Sequence, residues 1–223
     1  ARRWCIPWAI EYFLRQDFPD AHLLIMSDGD ESVADAVGST LGHPKVRYEH
    51  IGPHLALGAK FNCMVEAATT PYVALWDDDD WQAPWRLSYA MAKLTARPGA
   101  EICGSRTMFF LYLRQQKVYS YKFAAQDRGF LGGSLVFHRN YWRRHMFEAT
   151  QASAPDTPFV QAMDAAEYDR VAVVLWDSYF YVAIDHVDNV GRSLHYDDAC
   201  WTFEGEAGLM RRLMGADYAR YER

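Results

Sequence analysis

Four consecutive aspartates, Asp77 to Asp80, follow the short apolar run Tyr72-Val73-Ala74-Leu75-Trp76. Carboxylates this close repel: two like charges at ~4 Å cost about 1 kcal/mol in bulk water and several times that near a protein surface. Such a cluster persists either as a solvated acidic turn or with a cation among its oxygens. Trp76 and Trp81 flank it and apolar sequence leads into it, which argues against a floppy acidic loop. The pattern points to a hard divalent cation, Mg2+ or Mn2+, held by oxygen ligands at the carboxyl end of a buried strand. A cation so held keeps positions for phosphate oxygens and neutralises charge that builds on a departing phosphate group. The chain has no G-x-x-x-x-G-K-[ST] loop and no G-x-G-x-x-G fingerprint. Phosphate recognition would therefore rest on metal and isolated basic groups rather than on a glycine nest.

A second acidic turn, Asp28-Gly29-Asp30, ends the apolar run of residues 22–26. The elements around these turns alternate. Helical spacing spans 7–16, 32–37, 57–68 and 84–95, and strand-like runs span 22–26, 46–51 and 72–76. That order predicts an α/β fold with a parallel sheet covered by helices. Ligands in such sheets sit beyond the carboxyl ends of the strands, so the two acidic turns are expected to share one crevice. Beyond residue 95, strands are expected within 102–123 with a turn near 115–117, and at 132–137, 171–176 and 179–184. Residues 150–158 read as a mobile loop, and 205–221 as an amphipathic helix with Leu209, Leu213 and Met214 inward.

The totals suit one large domain. The chain has 223 residues, half of them hydrophobic and 23% charged. A net charge of −6 gives no general attraction to nucleic acid. The four cysteines form no C-x-x-C pair and the chain is long enough to do without disulfide staples, so a reducing cytoplasmic setting is expected. No run approaches the roughly 18 apolar residues of a membrane span. The chain opens on Ala1-Arg2-Arg3 rather than Met, and the expectation is that something upstream has been trimmed.

Several motifs stand in a suggestive order: Leu14-Arg15-Gln16-Asp17-Phe18-Pro19, Ser27-Asp28-Gly29, Leu57-Gly58-Ala59-Lys60-Phe61-Asn62, and Tyr72 to Asp80 with Pro84 following. Together they resemble a family 2 glycosyltransferase of the GT-A fold, a Rossmann-type, mostly parallel sheet flanked by helices with a smaller acceptor-side portion. The likeness is strong over residues 5–95 and looser through Gly132-Gly133-Ser134 and the segment around Asp156. It implies a nucleotide-sugar-binding half at 1–95, an acceptor-binding and catalytic half at 96–204 and a terminal helix at 205–223, in one structural domain. It also implies a strand before the first helix, which the sequence does not show.

The resemblance implies roles for single residues. Asp77-x-Asp79 would stand where the family has its D-x-D motif, with Asp79 the main metal ligand, Asp77 or Asp78 near the ribose and Asp80 in support. Asp28 would hydrogen-bond the base, and Lys60 would lie near the base or diphosphate. Ser27 departs from relatives that carry two aspartates at this turn. His186 would add a late metal ligand. Asp156, at the start of an expected helix, would be the base that takes a proton from the acceptor hydroxyl, as inverting transfer needs. An Asp before Thr-Pro is equally a good helix N-cap, and Glu148 and Asp164 are weaker alternatives for the base. The implied donor is a UDP-sugar and the acceptor a saccharide, lipid-linked or protein hydroxyl.

Other side chains carry softer expectations. Trp81 and Trp85 are candidates for stacking on a sugar, with the core as the competing place for Trp85. Gly132 to Ser134 would bring backbone N–H groups to donor or acceptor, or make a plain turn. Asp188 and Asn189 read as turn residues. Arg211, Arg212 and Arg220 on the terminal helix would either touch anionic lipid or line the solvated face of a capping helix. Two rival functions remain in the sequence: a nucleotidyltransferase or other Mg2+-dependent phosphoryl-transfer enzyme, and a non-catalytic carbohydrate- or calcium-binding module.

Overall fold

The helix–strand alternation of the first ninety residues is present in the structure, a computed structural model that describes residues 2–124, 127–189 and 199–222. Helix α1 (Ile6–Leu14) carries Pro7 in its first turn, where a missing N–H leaves no bond unmade, and buries Ile6, Ile10, Tyr12 and Phe13. Strand β1 (Leu23–Asp28) pairs in parallel with β2 (Val46–Ile51), and the short helix α2 (Ala34–Val37) lies between them in the chain. Helix α3 (Leu57–Ala67) leads to β3 (Tyr72–Ala74), which runs into the acidic turn.

After that turn come β4 (Trp81–Gln82), α4 (Arg86–Thr95), β5 (Ile102–Ser105), β6 (Thr107–Tyr112), β7 (Lys117–Lys122), β8 (Val136–His138) and α5 (Arg139–Arg144). The chain continues through α6 (Asp156–Gln161), α7 (Ala165–Val171), β9 (Ala172–Leu175), β10 (Tyr181–Asp185), β11 (Trp201–Glu206) and α8 (Gly208–Met214). Pairing among these strands is mixed. One sheet has the order β3-β8-β5-β9, with β8 antiparallel to both neighbours and β5 parallel to β9. Another has the order β11-β7-β6-β10-β4, in which only β6 and β10 are parallel.

Strands β1 and β3 do not hydrogen-bond to each other. An apolar cavity of about 440 Å3 is lined by Leu23 and Leu24 of β1, by all three residues of β3, and by Phe13 and Phe61. Among the described residues, three apolar clusters flank these sheets. The largest joins α4, β6, β10 and α8, and a second gathers Phe137, Tyr141, Phe147 and Phe159.

Several expected elements take other forms. Gly132–Ser134 is a 3-10 turn before β8 rather than the start of a strand. The Ser134 hydroxyl closes it by donating to the Leu131 carbonyl at 2.6 Å and accepting from the Ser105 N–H at 2.8 Å. The terminal segment is not one helix. Strand β11 runs to Glu206, α8 stops at Gly215, whose φ of 57° lies in the left-handed region, and a 3-10 helix follows to Tyr221. Asp156 opens α6, so part of the expected loop 150–158 is helical. Strand β4 and helices α5 and α7 have no counterpart in the sequence reading. Each is too short to set up a period.

Candidate active site

The acidic turn follows β3 and is anchored from below. Asp79 and Asp80 are buried, at 6% and 8% exposure, while Asp77 and Asp78 are half-buried. Asp80 accepts the Ile184 N–H at 2.8 Å through one oxygen and contacts the Tyr181 hydroxyl through the other. Both oxygens of Asp80, expected to support the metal, tie the turn to β10. The Tyr181 hydroxyl also lies 2.8 Å from Asp77 Oδ2. Burial first, then Asp79 and Asp77, push the Asp80 carboxyl well above the usual range. Asp77 is raised too, by burial and by Asp79, against the Tyr181 hydrogen bond and Arg86. Burial lifts Asp78 to about 6, with Arg2 opposing and Asp79 adding to the rise.

Asp79 is the meeting point. Its Oδ2 faces His186 Nε2 at 3.2 Å, accepts from Asn189 Nδ2 at 3.1 Å and pairs with Arg2. Arg2 also reaches Asp78 Oδ1 at 2.9 Å. His186 lies just past β10, buried, with the Trp4 ring edge-on at 5.2 Å. A guanidinium thus occupies the place beside two carboxylates where a cation is expected. Among the described residues no three His, Cys, Asp or Glu side chains form a ready-made metal cage. Asp79 and His186 are a two-residue set of O and N donors, which suits an ion that completes its shell with phosphate and water oxygens.

The next residue, Arg3, bonds the Ser32 carbonyl at 2.7 Å and pairs with Asp35 and Glu31. Neighbouring Cα atoms are about 3.8 Å apart. Arg2 and Arg3 therefore bring the loop after β1 and the turn after β3 to one end of the molecule, as the topology predicts. At the end of β1, Asp28 is engaged by Lys60 Nζ at 2.5 Å, by the Leu55 N–H at 2.9 Å and by His54 Nδ1 at 3.2 Å. Burial raises the Asp28 carboxyl, but these partners, Lys60 foremost, bring it below its ordinary value. Ser27, where relatives were expected to carry an aspartate, bonds Tyr48 and His50, each at 2.8 Å.

Asp156 comes to the same place from the far half of the chain. Its carboxyl lies against Gly132, where a Cβ would stand 2.4 Å from Asp156 Cγ. A Cβ at Gly133 would stand 1.9 Å from the Tyr181 hydroxyl oxygen and 2.5 Å from Asp77 Oδ2. The two glycines therefore form a strip of bare backbone with Asp156 on one side and Asp77 on the other. Burial lifts Asp156 to about 6 and the Asp77 charge adds to the rise, while its own N–H and that of Gly132 bond it. Its side chain does not cap α6. The alternatives go elsewhere: Asp164 caps α7 by accepting the Glu167 N–H, and Glu148 is exposed and bonds Thr150.

Neither tryptophan offers a sugar platform. Trp81 is 3% exposed and donates its indole N–H to Asp217 at 2.8 Å, and half-buried Trp85 packs edge-on against Tyr89 and Phe180. On the terminal segment Arg211 pairs with Glu222 and Arg220 with Glu11, while Met210, Met214, Tyr218 and Tyr221 are buried. That segment caps the core. No helix among the described residues is long and apolar enough to cross a membrane.

Four contributors were absent from the sequence reading as site residues: Arg2, Arg86, Tyr181 and Asn189. Only Arg86 left a signal. It shares the apolar face of α4 with Ala90 and Leu94, a place where a charge has to be buried.

The model of glycosyl transferase family 2 matches residues 5–173. No curated protein matches the chain at a significant level. Among solved structures, residues 1–349 of S. aureus TarS in complex with UDP superpose with a TM-score of 0.62 at 15% identity, covering 81% of this chain and 56% of that one. The mannosyltransferase PcManGT from Pyrobaculum calidifontis, in complex with GDP-Man and Mn2+, gives 0.59 at 17% identity, covering 84% and 54%. The fold is that of the GT-A glycosyltransferases, and the chain spans about half the length of these neighbours.

Proposed function

Because the chain belongs to glycosyl transferase family 2, we propose that it transfers a sugar from a nucleoside diphosphate sugar to a hydroxyl acceptor, with a divalent metal ion and with inversion. The observation that carries this reading is the convergence of Asp79, His186 and Asp156, from three distant parts of the chain, on one turn. A structural neighbour with UDP and another with GDP-Man and Mn2+ support a nucleotide-sugar donor and a Mn2+ or Mg2+ cofactor. UDP is the default, since no residue here discriminates the base.

A bound Mn2+ or Mg2+ would supply Lewis-acid neutralisation of the leaving diphosphate. Asp79 and His186 would hold it, with Asp78 beside them once Arg2 swings aside. Asp77, fixed by Tyr181, faces the donor across the Gly132–Gly133 strip, near the ribose. Asp28 and Lys60 line the base end as a neutral pair. Asp156 accepts the proton of the acceptor hydroxyl as that oxygen attacks the anomeric carbon. Its carboxyl at about 6 is ionised at neutral pH yet basic enough to take a proton, as general-base catalysis requires.

The phosphoryl-transfer rival needs a basic glycine-rich loop for a triphosphate, whereas here the end of β1 carries Asp28 paired with Lys60 of α3. The test is a thermal-shift panel of UDP- and GDP-sugars, each with and without Mn2+. The reading predicts a shift that needs both partners. Shifts with metal alone would favour a cation-binding module and remove the transferase reading.

A further inference from the structure

Arg86 is the largest fully buried side chain among the described residues, at 0% exposure. None of its hydrogen bonds goes to the carboxylates of Asp77 to Asp80 or of Asp156. Its Nη2 donates to the Leu75 carbonyl and to the Gly133 carbonyl, both at 2.6 Å, and its Nη1 to Gln82 Oε1, also at 2.6 Å. The guanidinium lies over the Trp76 ring at 4.8 Å and the Tyr181 ring at 5.5 Å. A buried charge is retained only when several strong partners offset its desolvation, and here the partners divide between two loops. Leu75 begins the run into Asp77 to Asp80. Gly133 belongs to the bare strip against which Asp156 rests.

We propose that Arg86 is a positioning residue whose fork fixes the acidic turn to the glycine turn, and so sets the separation between the carboxylates of Asp77 to Asp80 and the carboxylate of Asp156. The proposal rests on the reading of those two groups as donor site and base. The physical basis is that two carbonyls from separate loops are held by one nitrogen of a planar, rigid group. No pair of loops so joined can move apart without breaking a charge-assisted hydrogen bond in a dry interior. A lysine at this position keeps the charge, but its compact ammonium sits on a shorter, flexible stem and cannot hold both carbonyls while also bonding Gln82 and lying flat between the Trp76 and Tyr181 rings. Misplacement of about 1 Å between reacting groups costs on the order of 10²-fold in rate, so the joint acts on turnover more than on donor affinity.

Arg86→Lys and Arg86→Met test this on the whole chain in two ways. Hydrogen–deuterium exchange without ligand is expected to rise in residues 75–80 and 131–135 together, by roughly tenfold or more, with other segments unchanged. Unchanged exchange in both segments, a rise in only one, or a uniform rise over the chain would overturn the proposal. In the second arm, initial rates are measured for Mn2+-dependent hydrolysis of the nucleotide sugar selected by the thermal-shift panel. The expected result is a kcat lower by roughly 10–100-fold with KM within about threefold, for Lys as for Met. Restoration of kcat by Lys, or an equal rise of KM in both variants, sinks the fork argument. If no nucleotide sugar binds the unmutated protein, the transferase reading falls while the exchange arm still decides the role of Arg86.

Discussion

His186 Nε2 lies 3.2 Å from Asp79 Oδ2, although one residue follows β10 and the other follows β3. The contact exists because Asp80, next in the chain, takes the Ile184 N–H and locks the acidic turn to β10. Two donors of different chemistry are thereby aimed at one point, with Asn189 holding the same carboxylate oxygen. The pair makes the metal hypothesis specific. Asp79→Ala is expected to abolish Mn2+-dependent binding of UDP or GDP in calorimetry. His186→Ala is expected to weaken it roughly 10–100-fold without changing thermal stability in the absence of metal by more than a few degrees. Equal nucleotide affinity in both variants and the parent would remove the assignment.

The Gly133 position gives a packing prediction. An added Cβ would meet the Tyr181 oxygen at 1.9 Å and the ring carbon bearing it at 2.4 Å. Gly133→Ala should therefore destabilise by about 1–3 kcal/mol, the range of overpacked interiors. The cause is testable by a double-mutant cycle with Tyr181→Leu, which shortens the obstructing group. A coupling of at least about 0.5 kcal/mol, with the pair less unstable than the sum of the singles, is the expected result in urea unfolding. Strict additivity would mean that the strip is not wedged by Tyr181.

How much of this was legible beforehand follows from the range of the forces involved. Apart from the two-residue β4, the strands and α-helices up to Thr95 were readable, the helices from apolar residues three and four apart and the strands from short apolar runs, and the acidic turn stood out because four adjacent charges need a reason. Asp156 was reachable only through the family likeness, since Asp-Thr-Pro by itself reads equally well as a cap. Tyr181, Asn189 and Arg2 had no local signature: their roles come from pairings between distant segments, such as Tyr181 with Asp77 and Asp80, which no periodicity encodes. Arg86 was visible in principle as a charge on the apolar face of α4. The terminal segment misled because Leu209, Leu213 and Met214 keep a helical period while Gly215 breaks the helix.

The Asp28–Lys60 pair carries an acid-stability prediction. Its partners hold the Asp28 carboxyl below its ordinary value of 3.8 in the folded chain. The pair's contribution is therefore complete above that value and is lost as pH falls through the lower folded value. Asp28→Asn should lose stability at neutral pH by about 1–3 kcal/mol, the size of a hydrogen bond to a charged group, and should show a shallower loss than the parent as pH falls below 3.8. Parallel denaturation curves for the two proteins across that window would contradict the pairing. The same variant, if Asp28 meets the base, loses nucleotide affinity at neutral pH.

Asp156 gives the opposite sign. Its folded carboxyl is lifted from 3.8 to about 6, so the folded chain holds that proton more tightly than the unfolded chain does. Below 3.8 both states are protonated and the group is neutral in its effect. Between 3.8 and about 6 stability declines as pH rises, and above that the ionised carboxylate leaves the fold weaker by up to about 3 kcal/mol, at 1.36 kcal/mol for each pH unit. Asp156→Asn removes this burden. The variant should be more stable than the parent at pH 7.5, by an amount that shrinks to nothing near pH 3.5, and donor affinity should stay near normal. Its turnover should fall by roughly 10²–10⁴-fold, the size of a general-base contribution, and in the parent kcat should rise with pH through about 6 as the carboxylate ionises. A variant that is less stable at neutral pH, or that loses donor binding, would identify Asp156 as a structural residue rather than the base.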